Sequence, residues 1–369
     1  MSKKSKSQNR SAMNRRQFIK AGAGAGAALS ASALVRPKFA FGADELNVLT
    51  WCDGLDPAFV TPFEEAHGVR VNMKDYEGTG VAMSIIEQSQ PGDWDVFVIN
   101  SNDVPETSKS GVFATLPDDI VNWGDIFEAV HQPSLHRPNG DLIAVPEKFG
   151  YQGYAYNKEK VDPADMRTTA SLWDHKFKGR LAIYDWYQPF LQMIGLYNGV
   201  KPLDIDMAAL DAIREKLMLI KDVYALVSDI VTVQTALVTG DVDIVGGGAE
   251  FVVSNLMFEE RPDLDWALPD EGGMRWMQSV TVLEDSGRKD LAMEFLRYTL
   301  SNEGQAALAT SECYWAMPAS RTAALNMNEK AALRWDDQPG YLANSHYDLL
   351  LPPDLDTHCL DMWAEFLQS

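Results

Sequence analysis

The sequence predicts an α/β fold with two lobes and a ligand cleft between them. Two stretches of alternating strands and helices follow one another after residue 43, and each is typical of a parallel sheet flanked by helices. The chain has 369 residues, which is enough for two cores rather than one. Because no low-complexity linker separates the two stretches, we expect structured crossings between the lobes rather than a flexible tether.

The first stretch combines short apolar strands with capped helices. Asp56 is a natural N-cap, and the proline after it suits the first turn of a helix. The continuous apolar run at 94–99 is typical of a strand that is buried on both faces. The expected elements are strands at 46–50, 69–73 and 94–99 and helices from 57 onward and over 81–90.

The second stretch repeats this pattern before the chain returns. Asp206 is placed to cap an amphipathic helix whose apolar residues recur at helical spacing. The expected elements are strands at 181–184, 243–245 and 279–283 and helices at 207–220 and 289–299.

Ligands of open parallel sheets bind in the loops that follow the strands. In the first stretch these loops begin at Trp51 and at Asn100. We therefore expect both residues to border the cleft.

The N-terminus predicts an export signal. Residues 14–20 form a twin-arginine signature, a weakly apolar run follows at 21–35, and Ala40-Phe41-Gly42 is a small-x-small cleavage site. Residues 1–42 are thus interpreted as a twin-arginine signal peptide, and the mature chain is expected in the periplasm. No cysteine follows the apolar run, so a lipid anchor is not expected.

Charge and composition exclude several classes of protein. Residues 1–43 hold nine Lys or Arg and no acid, which leaves 23 basic against 53 acidic residues in the rest of the chain. Such a surface does not suit nucleic acid. No apolar run approaches 20 residues, which excludes a multi-pass membrane protein. Cys52, Cys313 and Cys359 allow one disulfide at most, and the sequence leaves the pair open.

An exported enzyme is the first alternative to a protein that only binds its ligand. The chain contains no Gly-x-Ser-x-Gly elbow, no His-Glu-x-x-His and no pair of histidines at metal-binding spacing. We therefore predict no catalytic residues, no metal ligands and no cofactor.

A series of short fragments is spread along the chain, namely Leu46 to Trp51, Phe63-Glu64, Gly68 to Val71, Trp94 to Val98, Val145 to Gly150, Tyr154, Asn157, Gly240 to Val242, Glu271 to Met277 and Tyr314 to Pro318. In their order and spacing these fragments resemble the spermidine/putrescine-binding proteins of ABC importers. The resemblance implies a type II periplasmic binding protein with two α/β lobes that close over a ligand. Lobe 1 is then expected at 43–146 plus 279–330 and lobe 2 at 147–278 plus 331–369, with hinges near 145–150 and 275–278.

The resemblance also implies a ligand pocket, and this chain departs from it. Polyamine binders of the family hold ammonium groups with carboxylates, one of which follows two positions after the tryptophan of the Glu-Gly-Gly motif. Gln278 stands there instead. The second pair of acids found in the family corresponds to Trp186 and Pro189 in this chain, unless a shift of one residue brings Asp185 into the pocket. By the same resemblance, the pocket also includes Trp51-Cys52, Asn100 to Asn102, Trp186 to Pro189, Trp276 and Trp315.

Loss of carboxylates among aromatic residues favours a methylated onium ligand, such as a betaine or dimethylsulfoniopropionate. An onium group has no N–H to satisfy, and aromatic faces bind it at roughly 0.5 to 2 kcal/mol each. Amides could meet the carboxylate of such a zwitterion. A polyamine is the alternative ligand. The predicted ligand-binding residues are Trp51, Asn100, Asn102, Trp186, Tyr187, Trp276, Gln278 and Trp315.

The partners that the resemblance implies are the small cationic or zwitterionic ligand and the permease and ATPase of an ABC importer. The membrane is contacted only through the permease, and the protein is expected to be a monomer without catalytic turnover. An iron-binding protein of the same superfold is a further alternative. Its relatives present neighbouring tyrosines to the metal, whereas this chain has Tyr314-Trp315.

Overall fold

The computed structural model describes residues 45–368. The predicted signal peptide at 1–42 lies outside the described residues. Among the residues described, no helix is long and apolar enough to cross a membrane.

The β-strands of the described part form one curled sheet. In chain order they are β1 (Glu45–Thr50), β2 (Arg70–Asp75), β3 (Val96–Asn100), β4 (Val145–Asn157), β5 (Leu181–Tyr184), β6 (Tyr224–Ser228), β7 (Ile244–Gly248), β8 (Leu264–Ala267), β9 (Gly273–Val282), β10 (Met317–Pro318) and β11 (Ser345–Tyr347). The order across the sheet is β2-β1-β3-β9-β4-β7-β5-β6, with β8 and β10 paired to β4 and β11 paired to β9.

Helices pack on the faces of this sheet. In the described part they are α1 (Pro57–His67), α2 (Thr79–Gln88), α3 (Val104–Thr107), α4 (Pro133–His136), α5 (Tyr187–Tyr197), α6 (Met207–Leu219), α7 (Ile230–Thr239), α8 (Glu250–Glu259), α9 (Lys289–Thr299), α10 (Asn302–Ala309), α11 (Arg321–Asn326), α12 (Gln338–Ala343) and α13 (Pro353–Gln368).

Each half of the sheet is a parallel unit, as the sequence predicts. Strands β2 and β3 flank β1 in parallel, and β6 and β7 flank β5 in parallel. The two halves are joined by β4 and β9, which are antiparallel to each other. The first part of β4 pairs with β9, and its last residues pair with β7 and β8. This mixed architecture, with two parallel units joined by two antiparallel strands, agrees with the predicted α/β fold.

Short-range patterns in the sequence predict the ends of several helices and strands correctly. The strand at 181–184 and the helix at 289–299 have the predicted bounds. Asp56 and Asp206 cap their helices by accepting hydrogen bonds from backbone N–H groups at 2.8 Å. In contrast, the strand expected at 279–283 begins at Gly273. Every residue of β9 is buried, so its first half lacks the apolar alternation that marks a strand in sequence.

Candidate functional site

A row of polar side chains crosses the centre of the sheet. Asn100 in β3 is paired with Gln278 in β9, and Gln278 is paired on its other side with Lys148 in β4. Directly paired residues of neighbouring strands project from the same face. An amide, a second amide and an ammonium group therefore stand side by side where the two halves of the sheet meet.

A β-bulge adds a carboxylate to this row. The register between β4 and β9 shifts between Pro146 and Lys148, so that Glu147 is the extra residue. A bulge re-aims the side chains of the bulged strand. Glu147 interacts electrostatically with both Asp53 and Lys148, and its side chain is almost fully buried. The bulge thus places an acid and a base at consecutive positions on the floor of the site.

Lys148 forms a buried ion pair with Asp53, which follows β1. The Nζ atom of Lys148 lies 2.5 Å from Oδ2 of Asp53, and the two side chains are 0% and 1% exposed. The same Nζ donates to the carbonyl oxygen of Leu308 at 3.3 Å. It also lies 3.9 Å from the centre of the Tyr314 ring. This ammonium group is therefore held by a carboxylate, a carbonyl and an aromatic face.

Tyr314 and the disulfide beside it complete one side of the site. Gln278 donates from Nε2 to the hydroxyl oxygen of Tyr314 at 2.7 Å, and the Trp276 ring lies 6.0 Å from the Tyr314 ring. Cys52 and Cys313 form a disulfide with a Cα–Cα distance of 6.0 Å. These cysteines precede Asp53 and Tyr314 directly, so the bridge ties together the two segments that carry the ion pair and its aromatic face.

Glu250 enters the site from the first turn of α8. Its Oε1 accepts a hydrogen bond from the backbone N–H of Tyr151 at 2.9 Å. The approach requires a glycine at position 150, because a Cβ there would lie 1.8 Å from that oxygen and 2.4 Å from the Trp276 ring. Glu250 and Trp276 therefore meet directly above β4.

Burial shifts the acids of the site toward their neutral forms. Loss of hydration raises the pKa of Glu250 from 4.5 to about 8, against the smaller opposing effects of the Tyr151 N–H and of Lys148. Burial and then the Asp53 carboxylate raise the pKa of Glu147, which Lys148 opposes. Burial likewise raises the pKa of the Tyr314 hydroxyl well above its usual value.

A second pair of acids lies beyond Asn102. Its Nδ2 donates to the backbone carbonyl of Asp348 at 2.7 Å. Burial raises the pKa of Asp348 well above its usual value, and the carboxylate of Asp103 adds to this effect. Burial also raises the pKa of Asp103. Asp103 acts electrostatically on Tyr76, as do Glu147 and Asp53, which connects the second pair to the main cluster.

Several buried oxygens of the main cluster accept no hydrogen bond from the described residues. They are Asn100 Oδ1, Glu147 Oε1, Glu250 Oε2 and Gln278 Oε1, together with the two oxygens of Asp53, of which Oδ2 forms the ion pair with Lys148. Buried polar atoms in proteins are nearly always satisfied, so each exception requires an explanation. All of these atoms are acceptors, and together they suit a ligand that brings hydrogen-bond donors and positive charge, whereas the unpartnered Nε1 of Trp51 at the border is a donor.

The structure brings four of the sequence-predicted residues to this cluster. Asn100, Trp276 and Gln278 lie on the sheet, and Asn102 connects the cluster to the second acidic pair. Trp51 borders it, since its ring lies 4.9 Å from that of Tyr76 and it directly precedes the disulfide.

Three other predicted residues lie apart from the charged cluster. The Trp186 ring lies 6.1 Å from the Tyr184 ring, which in turn lies 5.6 Å from the Phe251 ring. The Tyr187 hydroxyl donates to Asp356 in α13 at 2.8 Å. Trp315 packs against Phe258 at 5.4 Å, while its neighbour Tyr314 faces the ion pair.

Sequence reasoning missed the acids and the base of the site. Asp53 and Tyr314 are immediate neighbours of residues that had been singled out, and a shift of one or two positions would have found them. Glu147 and Lys148 fall within the segment assigned to a hinge. Glu250 has no local signal, except that it follows the three glycines of β7.

A family model described as bacterial extracellular solute-binding protein matches residues 58–335. The spermidine/putrescine-binding periplasmic protein of Escherichia coli is 24% identical over 278 residues, covering 74% of this chain and 78% of that protein. The putrescine/agmatine-binding protein of Pseudomonas aeruginosa is 25% identical over 304 residues, covering 77% and 80%.

Solved structures share the fold. A spermidine/putrescine ABC transporter substrate-binding protein from Streptococcus pneumoniae superposes with a TM-score of 0.74 at 17% identity, covering 88% of this chain and 99% of that one. A protein of Listeria monocytogenes described as a spermidine/putrescine ABC transporter gives 0.73 at 18% identity, with the same coverage.

Proposed function

The chain belongs to the bacterial extracellular solute-binding proteins, and we propose that it is the substrate-binding component of an ABC importer whose ligand is an organic amine of the polyamine class. The observation that carries this proposal is the group of unpartnered acceptor oxygens on Asn100, Glu147, Glu250 and Gln278. A primary ammonium group supplies three N–H donors and a positive charge. It would satisfy oxygens that otherwise remain buried at a cost of about 1 to 3 kcal/mol each.

The curated relatives support the same class of ligand. Those compared above are named for spermidine, putrescine or agmatine, all of which are organic amines. Gln278 does not weaken the argument, because its Oε1 remains an acceptor while its Nε2 holds Tyr314. We propose that Glu147 and Glu250 serve in place of the carboxylates that the family resemblance implies at 278 and after the second-lobe strand.

A methylated onium zwitterion is the second candidate. It is favoured by the aromatic pairs Trp51 with Tyr76 and Trp276 with Tyr314. An onium group has no N–H, however, and would leave the oxygens of Glu147 and Glu250 without donors. The Tyr314 face is also already in contact with the Lys148 ammonium.

A ligand screen of the mature chain separates the two candidates. Putrescine, spermidine, agmatine, choline, glycine betaine and dimethylsulfoniopropionate are tested by calorimetry and thermal unfolding, since a ligand at 100 times its Kd adds about 2.7 kcal/mol to stability. We expect a shift with one or more amines that is lost in Glu147→Gln. Glu294→Gln, at an exposed helix position, is the matched control. A response to onium compounds alone would overturn the amine assignment.

We further propose that the lobes, with the boundaries given by the family resemblance, close on the ligand about β4 and β9. Lys148 and Gln278, which contact each other across these strands, are buried in the site, whereas Trp51 and Asn100 are partly exposed at its border. Hinge closure is a common mode of binding between two lobes. Small-angle scattering should show contraction on saturation with the amine identified above. An unchanged profile with ligand bound would contradict closure.

We also propose that the chain is exported through the twin-arginine pathway and that it binds its solute without converting it to a product. The signature at residues 14–20 supports the first, and membership of a solute-binding family supports the second. Replacing Arg15 and Arg16 by lysine should retain the chain in the cytoplasm on fractionation. Mass spectrometry should recover the bound solute unchanged from a monomeric protein. Delivery to a permease and ATPase follows from the importer assignment.

A further inference from the structure

We propose that the side chain of Lys148 permanently fills one ammonium subsite of the cleft, so that the native ligand carries one ammonium group fewer than the site could otherwise hold. This inference rests on the proposed function, because it concerns which members of the amine class are accepted.

The surroundings of the Lys148 ammonium are those expected for a bound amine. Nζ lies 2.5 Å from an Asp53 oxygen, 3.3 Å from the carbonyl oxygen of Leu308 and 3.9 Å from the centre of the Tyr314 ring. A carboxylate, a neutral acceptor and an aromatic face are the groups that stabilise a desolvated ammonium. The lysine is 0% exposed, so it is not a rim residue that reaches in occasionally.

The Lys148 ammonium belongs to a side chain of β4, so it stays in place when the ligand leaves. Lys148 is fixed to the floor of the cleft because β4 pairs with β9 and because Lys148 itself pairs with Pro318 of β10. The oxygens without a donor lie on its neighbours in the row and on the acids beside it, Glu147 and Glu250. Lys148 therefore balances the charge at the Asp53 end of the cluster, and the ligand donates to the oxygens that remain free.

The charges of the cluster indicate the same division between the part that Lys148 serves and the part that the ligand serves. Asp53, Glu147 and Glu250 all interact with Lys148, directly or through its electrostatic field. One of the three potential negative charges is thus balanced by the chain itself. A ligand that brought an additional ammonium to this end would meet a positive charge and an occupied aromatic face.

The test is to vacate the subsite and offer it an amine from solution. Lys148→Ala removes a segment equivalent to propylammonium. We expect added propylamine to raise the unfolding temperature of Lys148→Ala and not that of the wild type. The ratio of spermidine affinity to putrescine affinity should rise at least tenfold in Lys148→Ala, because the extra ammonium now has a place. Lys109→Ala, an exposed lysine paired only with Glu106, is the matched control.

A double variant keeps the test decisive if Lys148→Ala is unstable. Asp53→Leu/Lys148→Met replaces the ion pair with apolar side chains of similar size, and it should fold without gaining rescue by propylamine or preference for spermidine. Two outcomes would overturn the inference: no rescue and an unchanged affinity ratio in Lys148→Ala, or a chain that stays unfolded in excess propylamine and spermidine. Binding of an amine by the wild type would leave the proposed function standing in either case. Absence of amine binding by the wild type would remove that function instead.

Discussion

Two buried aspartates of the parallel unit formed by β1, β2 and β3 differ in how completely their carboxylates are satisfied. Asp95, just before β3, accepts hydrogen bonds from the Ser286 hydroxyl at 2.6 Å, from the Asn47 N–H at 2.8 Å and from Arg288 Nε at 3.0 Å. Asp53 is as deeply buried, yet it is paired with Lys148 and lies beside the Tyr314 hydroxyl, and no backbone N–H of the described residues donates to it.

The difference separates an acid that holds the fold together from an acid of the proposed binding site. Asp95 joins its own segment to β1 and to the segment of Ser286 and Arg288, and leaves neither oxygen free. Around Asp53, the neighbouring acids and amides retain free acceptors. A buried polar cluster that is fully satisfied adds rigidity, whereas one that is partly satisfied is costly without a further donor. Completeness of hydrogen bonding, rather than depth of burial, therefore distinguishes the proposed binding site from the rest of the core.

The largest effect is expected from removing Asp95. Asp95→Ala leaves Arg288, Ser286 and the Asn47 N–H without their acceptor, and breaking a buried ion pair costs about 3 to 5 kcal/mol. The free energy of unfolding, measured by urea denaturation, should fall by that amount while the Kd for the amine stays unchanged. A large loss of amine affinity in folded Asp95→Ala would show that the two aspartates are not functionally distinct.

The disulfide provides the next contrast, because only the Asp53 region is tied by a covalent bond. Cys52 and Cys313 are exposed and 261 residues apart in sequence. Cys52→Ser/Cys313→Ser should lose about 2 to 4 kcal/mol of stability and also bind amine more weakly, since Asp53 and Tyr314 are no longer held together. Calorimetry with and without reductant measures both effects. Cys359→Ala leaves the bridge intact and should retain full affinity.

The third prediction uses the pKa of Glu250. A carboxyl whose pKa is raised from 4.5 to about 8 by folding contributes stability that is complete below pH 4.5 and lost as the pH rises through 8. Glu250→Gln keeps the acceptor for the Tyr151 N–H but cannot ionise. We expect its unfolding free energy to exceed that of the wild type at pH 9 and to vary less with pH.

Ligand affinity should have the opposite dependence on pH. Binding of a cation favours the ionised acid, so wild-type affinity should increase as the pH rises toward 8. Glu250→Gln should weaken putrescine binding by about 1.5 to 3 kcal/mol at pH 8.5, the range for a hydrogen bond to a charged group. Calorimetry across pH 6 to 9 tests this. Equal pH profiles of the two proteins would exclude Glu250 from the site.

The parts of the structure that sequence predicts well depend on local chemistry. The Asp206 cap and the helix at 289–299 follow from residues a few positions apart. The family resemblance also led to Trp276 and Gln278, which the structure places in the polar cluster on β9. The elements predicted correctly depend on residues close together in the sequence, and the two cluster residues belong to a single motif.

The charged residues of the site depend on tertiary geometry instead. Glu147 and Lys148 share the site because of a bulge, and a bulge is defined only by the pairing of two strands. Glu250 reaches the site over Gly150, 100 positions earlier in the chain. Tyr314 faces the ion pair and Trp315 packs against Phe258, because the two neighbouring side chains project in different directions from the backbone. No periodicity in the sequence records these relations.

The smallest effect is expected at Gln278, where the chain departs from the acid that the family resemblance predicts. Gln278→Glu keeps the length of the side chain and turns its free oxygen into a charged acceptor, which strengthens a hydrogen bond to an ammonium. The gain should be less than about 1 kcal/mol, because the new charge loses the Nε2 bond to Tyr314 and stands near Glu147. Calorimetry should show tighter putrescine binding with little change for glycine betaine, which has no N–H to donate. Equal gains for both ligands would mean that charge alone, and not donation to the free oxygen, governs recognition at this position.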